Sequence, residues 1–282
     1  MMNPEGALLV GISNPDTAAR LVGLSASLSR TSIQLPAPGA QPVLLVHAVT
    51  VANQINLGIG SSSPEVIRAR DLLQAAGEAA RNRGQRVRAI VEVARSVEAG
   101  LLSAAESHNA SLILVGYSGD PVRSEAEERF DRTMHRVARK ARADVVIATF
   151  RRREHHSILV PVPEDAPLRL TSRLCRALEA DTGAIPTFLH VAPRDASAGE
   201  ARERVQARLA SVFRGGEPQL RVVTSDDPQV AIMEESEGHD LVLLGPSRRP
   251  GLLDAVFSNR TRRIAESVSS SVVIGWGLAE ED

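Results

Sequence analysis

The chain has few aromatic residues, almost no lysine, a single cysteine and no imbalance of charge. Aromatic residues make up 2% of its 282 residues, as five Phe, one Tyr and one Trp. Proteins that hold single-stranded nucleic acid rely on aromatic platforms, and the net charge of −1 creates no field to gather a polyanion, so nucleic acid is not an expected partner. Lys140 is the only lysine, which leaves almost no amine for covalent catalysis or for gripping a phosphate. A lone Cys175 excludes an internal disulfide and a cysteine-based zinc site. It falls in the helix-like run "LTSRLCRALEA" and reads as a packed thiol, with no disulfide-linked partner expected. No apolar run approaches the ~20 residues of a membrane-spanning helix. The start, "MMNPEGALLVGI", lacks the charged and apolar regions of a signal peptide. The chain therefore reads as soluble and cytoplasmic. The paired histidines of a metalloprotease helix and the Gly-x-Ser-x-Gly elbow of a hydrolase are also missing.

What is present is a repeat. "ALLVGI" at 7–12 returns as "SILVPV" at 157–162, and "PVLLVHAV" at 42–49 as "PTFLHVA" at 186–192. "SLILVGYSG" at 111–119 returns as "DLVLLGPSR" at 240–248, and "ADVVIATF" at 143–150 as "SSVVIGWG" at 270–277. These are continuous apolar runs, as expected of strands covered on both faces. Helix-like segments separate them at 17–30, 63–84, 96–110 and 127–141, and again at 168–183, 198–216, 228–239 and 259–268. Ser63, Pro64 and Gly84 fit an N-cap, a first helical position and a C-terminal stop. "QRVRAIVEVA" (85–94) and "PQLRVVTS" (218–225) complete each set as third strands. The order βαβαβαβαβ, with right-handed crossovers, predicts two α/β domains, 1–150 and 151–282, each an open parallel sheet with helices on both faces. "RRREHH" (151–156) reads as a solvated linker, and "TVANQINLGIGSSS" (50–63) as a surface loop.

In such a sheet, ligands bind beyond the carboxyl ends of the strands. Gly116 and Gly119 follow the fourth strand of the first copy, and Gly245, Ser247 and Arg248 that of the second. A glycine turn feeding a helix can present N–H groups to a phosphate, although a glycine after a strand is also ordinary turn chemistry. His47 and His190 end equivalent strands, and their recurrence points to local packing rather than to two metal sites. Glu234, Glu235 and Glu237 read as a decorated helix surface.

These segments carry a resemblance. "LLVGIS"/"ILVPVP", "LLVHAV"/"FLHVA" and "LILVG"/"LVLLG" followed by loop, helix and short strand resemble the universal stress protein (UspA) family in tandem form. "LVLLGPSRRPGLLDAVFSNRTRRIAESVSSSVVIGW" is similar to that family's C-terminal segment. "ISNPDTAARLVGLSASLS" and "VARSVEAGLLSAAESHNASLILVGYSG" look like the domains of this kind appended to amino-acid permeases and cation/proton antiporters. The resemblance implies an adenine nucleotide alpha hydrolase-like fold and pairing through terminal strands. Here "VVIATF" and "VVIGWG" would pair antiparallel as an internal pseudo-twofold dimer, with a further homodimer also open. It further implies, for nucleotide-binding members, an acidic residue ending the first strand, a small apolar residue after the second-strand His, and Gly-x-x-Gly-x9-Gly-Ser/Thr. The acidic position falls on Ser13 and Pro163, neither a carboxylate, and Pro163 has only its carbonyl to offer a ligand. The small residue falls on Ala48 and Val191. In the first copy the distal Gly-Ser is replaced by Phe130-Asp131-Arg132; in the second, the pattern reads Gly245-x-x-Arg248-x9-Ser258-Asn259. Arg248 or Arg249 could pair with a phosphate, and Ser258 or Asn259 could cap the last helix or donate to a ligand.

Three readings result. One is a non-enzymatic stress-response or regulatory protein with two degenerate stress-protein domains, sensing a small ligand or regulating a membrane transporter. The second is a switch that binds ATP or another adenine nucleotide through Gly245, Ser247, Arg248, Ser258 and Asn259. The third is the cytosolic part of a transporter. No catalytic residue and no metal ligand are assigned. An enzymatic reading would have to draw its carboxylates from Asp120, Asp131 or Asp254.

Overall fold

The structure is a computed structural model that describes residues 6–30, 42–52, 63–117, 125–213, 218–246 and 259–277. It divides into two compact units, 1–148 and 149–282.

In the first unit the elements run β1 (Ala7–Gly11), α1 (Pro15–Arg30), β2 (Val43–Thr50), α2 (Pro64–Asn82), β3 (Val87–Ala94), α3 (Val97–Ser107), β4 (Ala110–Tyr117), α4 (Glu125–Lys140) and β5 (Asp144–Thr149). Its strands lie in the order β3-β2-β1-β4-β5. β1 pairs in parallel with both β2 and β4, with Val10 opposite Leu45 and Leu114. The strand order therefore reverses beside β1, and the carboxyl ends of β1 and β4 form the crevice where a ligand would sit. Leu9, Leu45, Leu112 and Ile113 are fully buried, because helices cover both faces of these central strands.

The helix ends follow from their residues. Ser63 accepts a hydrogen bond from the Val66 N–H, and Pro64 opens α2, where its missing N–H costs nothing. Gly84 takes a φ of 75° just beyond the helix, a conformation glycine adopts without steric cost. Ser96 caps α3 in the same way through the Ala99 N–H. Glu98, in the first turn of α3, faces Arg136 and Lys140 of α4 at 2.9 and 2.6 Å. Both cations are more than half exposed, so this pair orients α4 more than it stabilises the unit.

The second unit repeats the plan as β6 (Ile158–Pro161), α5 (Arg169–Thr182), β7 (Pro186–Ala192), α6 (Ala198–Val212), β8 (Gln219–Thr224), α7 (Pro228–Ser236), β9 (Leu241–Leu244), α8 (Asn259–Ser267) and β10 (Ser271–Trp276). Its strand order is β8-β7-β6-β9-β10. Leu159, Leu189, Val242, Leu244, Ile264, Val268 and Val272 close one buried cluster across its strands and last helix. Each unit's terminal strand is last in its own order, the position that the expected pairing of terminal strands requires.

Two expectations change. The continuous apolar pattern holds for central strands, but β3 and β8 end their orders and are only half-buried, with Arg88 and Arg221 exposed. The run 151–156 is not a free solvated linker. Ser271 Oγ accepts the N–H groups of Arg151 and Arg152 at 3.0 and 3.1 Å, and His155 Nε2 lies 2.8 Å from the same oxygen. The Arg151 guanidinium donates to the Ser270 carbonyl. Asp240 receives the His156 N–H at 3.0 Å and the Ser157 hydroxyl at 3.1 Å, with Arg152 3.6 Å away. The segment is exposed, yet its backbone is fastened to the amino ends of β9 and β10.

Cys175 lies in α5 and is buried. Burial, reinforced by the Glu179 charge, pushes its thiol far up from the ordinary range. Because the thiolate is the reactive form, Cys175 is expected to resist aromatic disulfide reagents in the native protein at pH 8 and to react fully in denaturant. Rapid native labelling would contradict this packing.

Candidate functional site

The carboxyl end of β1 leads through Ile12, Ser13 and Asn14 into α1. Asn14 fixes this turn: its Oδ1 accepts the Asp16 N–H at 2.9 Å, and its carbonyl accepts the Thr17 hydroxyl at 3.2 Å. Ser13 is exposed at the tip. The Ile12 N–H donates to the Val46 carbonyl at 2.8 Å, and the Ile12 carbonyl lies 2.7 Å from His47 Nδ1. The second unit repeats both contacts: the Val162 N–H donates to the Leu189 carbonyl at 2.8 Å, and His190 Nδ1 lies 3.0 Å from the Val162 carbonyl. A carbonyl can only accept, so each histidine carries its proton on Nδ1. The two histidines therefore fasten the turn after the first strand to the end of the second, in the packing role their recurrence suggested.

The glycines after the fourth strands have an equally specific surrounding. A Cβ on Gly116 would come within 2.7 Å of Leu21 Cδ1 and 3.2 Å of Thr17. A Cβ on Gly245 would come within 2.5 Å of Thr171 Oγ1. In both units the missing side chain lets the strand end approach the first turns of the first helix. Ala48 sits in a similar close approach, with its Cβ only 2.8 Å from where a Cβ on Gly100 would be. Val191 packs against the buried cluster of the second unit. Gly119, Ser247, Arg248, Arg249 and Ser258 lie outside the described residues, as do Asp120 and Asp254. Nothing is described of the Asn259 and Asp131 side chains.

The two sites differ in what fills them. In the first unit, Tyr117 at the end of β4 stacks on Phe130 of α4, with ring centroids 4.6 Å apart and planes 21° from parallel. An aromatic pair thus joins the end of β4 to α4, and Phe130 belongs to the segment that replaces the distal Gly-Ser pattern. In the second unit the turn after β6 is four residues longer than its counterpart and is held from α6. Arg204 binds the Glu164 carboxylate, and Arg208 donates to the Glu164 and Ala166 carbonyls. The Pro163 carbonyl, the only polar backbone group left at that position, accepts the Ala166 N–H at 3.2 Å. One of its two lone pairs is thereby taken. Sequence reading missed the clamp because Arg204 and Arg208 stand some forty positions from the groups they hold.

Among the described residues no group of three or more His, Cys, Asp or Glu side chains is placed to hold a metal ion. None of their helices is long and apolar enough to cross a membrane.

Comparison with known proteins places this geometry. The Na(+)/H(+) antiporter NhaS5 of Synechocystis sp. is 25% identical over 273 residues, which are 95% of this chain and 38% of the antiporter. The chain thus spans well under half of that relative's length. The cytoplasmic domain of a prokaryotic cation chloride cotransporter shares the fold, with a TM-score of 0.65 at 14% identity, over 98% of this chain and 97% of that one. A universal stress protein from Archaeoglobus fulgidus gives a TM-score of 0.64 at 14% identity, over 96% of each chain. The profile of the universal stress protein family matches residues 7–149. That is half of the sequence, and the chain belongs to the universal stress protein family.

Proposed function

We propose that the chain is a non-catalytic regulatory module of two stress-protein units that acts on, or as the cytoplasmic part of, a membrane ion transporter. The observation that carries this reading is the span of its similarity to an antiporter: the aligned region runs through both units, so the likeness is to the tandem and not to a single nucleotide-binding domain. The fold shared with a cotransporter's cytoplasmic domain supports the same reading. The strand ends support the absence of catalysis. Among the described residues that end these strands, Ser13, Asn14, Ala48, Gly116 and Tyr117 in one unit, and Pro163, Val191 and Gly245 in the other, bring no carboxylate.

The test is an affinity capture with the tagged full chain from detergent-solubilised membranes of its source, with the retained proteins identified by mass spectrometry. A cation transporter should be enriched over a control bait, or a membrane half should prove continuous with the chain itself. Recovery of neither would defeat the proposal.

A second reading, an adenine-nucleotide switch, has one observation in its favour. In the second unit β9 ends beside Gly245 and α8 runs Asn259–Ser267, and a helix N-terminus is a place suited to phosphate. A ligand that binds only the folded state must raise the melting temperature. Millimolar ATP, AMP or a cyclic dinucleotide should do so, and Arg248→Ala should reduce the shift. A flat response to all three would eliminate this reading.

A further inference from the structure

The outer strands of the two units differ in one respect that repetition does not explain. In the second unit two carbonyls at the outer edge of β8 are engaged by its own helix. Arg202 of α6 donates to the Leu220 carbonyl at 3.1 Å, and Gln206 to the Pro218 carbonyl at 3.5 Å. The first unit has an arginine and a glutamine at the same four-residue spacing, Arg70 and Gln74 of α2, but they do not bond β3. Gln74 turns instead to Glu78 at 3.2 Å. A hollow of about 430 Å³ remains between α2 and β3, lined by Leu73, Gly77, Val87, Ala89 and Val91 with Arg70 at one end and Arg81 at the other.

The β3 edge, bonded by no side chain among the described residues, has a definite polarity. The Arg86 and Ala94 carbonyls accept from Val43 and Val51, so the even-numbered residues of this stretch direct their backbone groups toward β2. Backbone direction alternates along a strand, so the N–H and C=O groups of Val87, Ala89, Val91 and Val93 face outward. Side chains alternate as well. The odd-numbered residues lie on the α2 side, where Val91 and Val93 also pack against the buried group Val49, Val66 and Ala69. Arg88, Ile90 and Glu92 lie on the opposite face, and neither Arg88 nor Glu92 has an ion-pair partner among the described residues.

We propose that β3 is a homodimerisation strand: two copies of this chain pair their β3 edges antiparallel about a twofold axis through Ile90. The sequence Val87-Arg88-Ala89-Ile90-Val91-Glu92-Val93 is self-complementary in that register. Ile90 meets Ile90 of the other copy, Arg88 meets Glu92, Ala89 meets Val91, and Val87 meets Val93. The outward-facing residues Ala89 and Val91 then form the hydrogen-bonded pairs. Arg88 and Glu92 fall in the closer, non-hydrogen-bonded pairs, where opposite charges attract most. An isologous contact forms this pair twice per dimer, because the axis repeats it.

The test is the mass of the full chain in solution, by sedimentation equilibrium or light scattering. The native protein is expected at twice its 30.1 kDa chain mass. Arg88→Glu sets like charges opposite each other at two places and should weaken the dimer by at least about tenfold, as should Glu92→Arg. Both residues are on a half-exposed strand, so the variants should keep the native circular dichroism. The double swap R88E/E92R restores opposite charges and should recover native association. Ile90→Cys should give a disulfide-linked dimer on oxidation, the native Cys175 being buried. A native chain that stays monomeric at about 100 µM would overturn the proposal. A dimer indifferent to R88E, or unable to cross-link through I90C, would overturn it too, by placing association on another surface.

Discussion

Replacing Asp240 by Ala is expected to cost roughly 2–3 kcal/mol of stability, because several donors lose one acceptor together. The His156 N–H, the Ser157 hydroxyl and Arg152 all converge on this carboxylate. Its own N–H and carbonyl continue the set, toward Ser157 and Ser271. In a chain of this size such a loss should lower the melting temperature by about 4–12 °C. Differential scanning calorimetry of Asp240→Ala against Asp240→Asn separates two contributions. The amide keeps an acceptor oxygen but not the charge, so it should lose less. The same group gives the protein a component of acid sensitivity. Burial pushes the Asp240 carboxyl upward, but the His156 N–H, the Ser157 hydroxyl and the Arg152 charge outweigh it and hold the carboxyl below its ordinary value of 3.8. A carboxyl depressed by folding contributes fully above the unfolded-state value and loses its contribution as pH falls through the lower folded-state value. Native protein should therefore lose more stability than Asp240→Asn between pH 5 and the acid limit of folding. Equal slopes for the two proteins would show that the carboxylate is not held as described.

The second large effect is expected at Gly245. Ala there would place a methyl against the Thr171 hydroxyl, at a separation atoms do not tolerate. Thr171 is buried, so relief requires either a poor rotamer or a backbone shift, at a cost of about 1–3 kcal/mol. Val should be worse. Thr171→Ala removes the obstructing oxygen, so G245A should cost much less in that background than alone. This double-mutant cycle distinguishes packing from ligand binding. If Gly245 serves mainly to let a ligand approach, G245A will leave the melting temperature unchanged and Thr171→Ala will show no coupling to it.

How far the sequence leads depends on the distance over which residues act. The strands of the sheet interior were legible because helices on both faces force continuous apolar runs, as in "SLILV" and "DLVLL". Helix ends were legible where a side chain bonds within three residues, as Ser63 and Ser96 do. The fastening of 151–156 was not, because six polar residues look like a linker until Ser271, some 120 positions away, is set beside them. The same limit hid the role of Gly116 and Gly245. A glycine after a strand suggests an open loop, and only the folded arrangement shows Thr17 or Thr171 against it. The edge character of β3 and β8 was half-visible. Arg88 and Glu92 interrupt the first and Arg221 the second, as expected where one side of a strand has no neighbour. Which of those edges is covered could not be read from an Arg and a Gln that occur at the same spacing in both copies.

The side chains of Arg202 and Gln206 have a consequence for the valence of the molecule. Had both copies kept an exposed outer strand, each chain would be bifunctional, and edge pairing could propagate without limit into a filament. With Arg202 and Gln206 engaging the edge of β8, β3 is the open one of the two outer strands among the described residues. Self-pairing of a monofunctional unit stops at two, and duplication of the domain then enlarges the protein without making it a polymer.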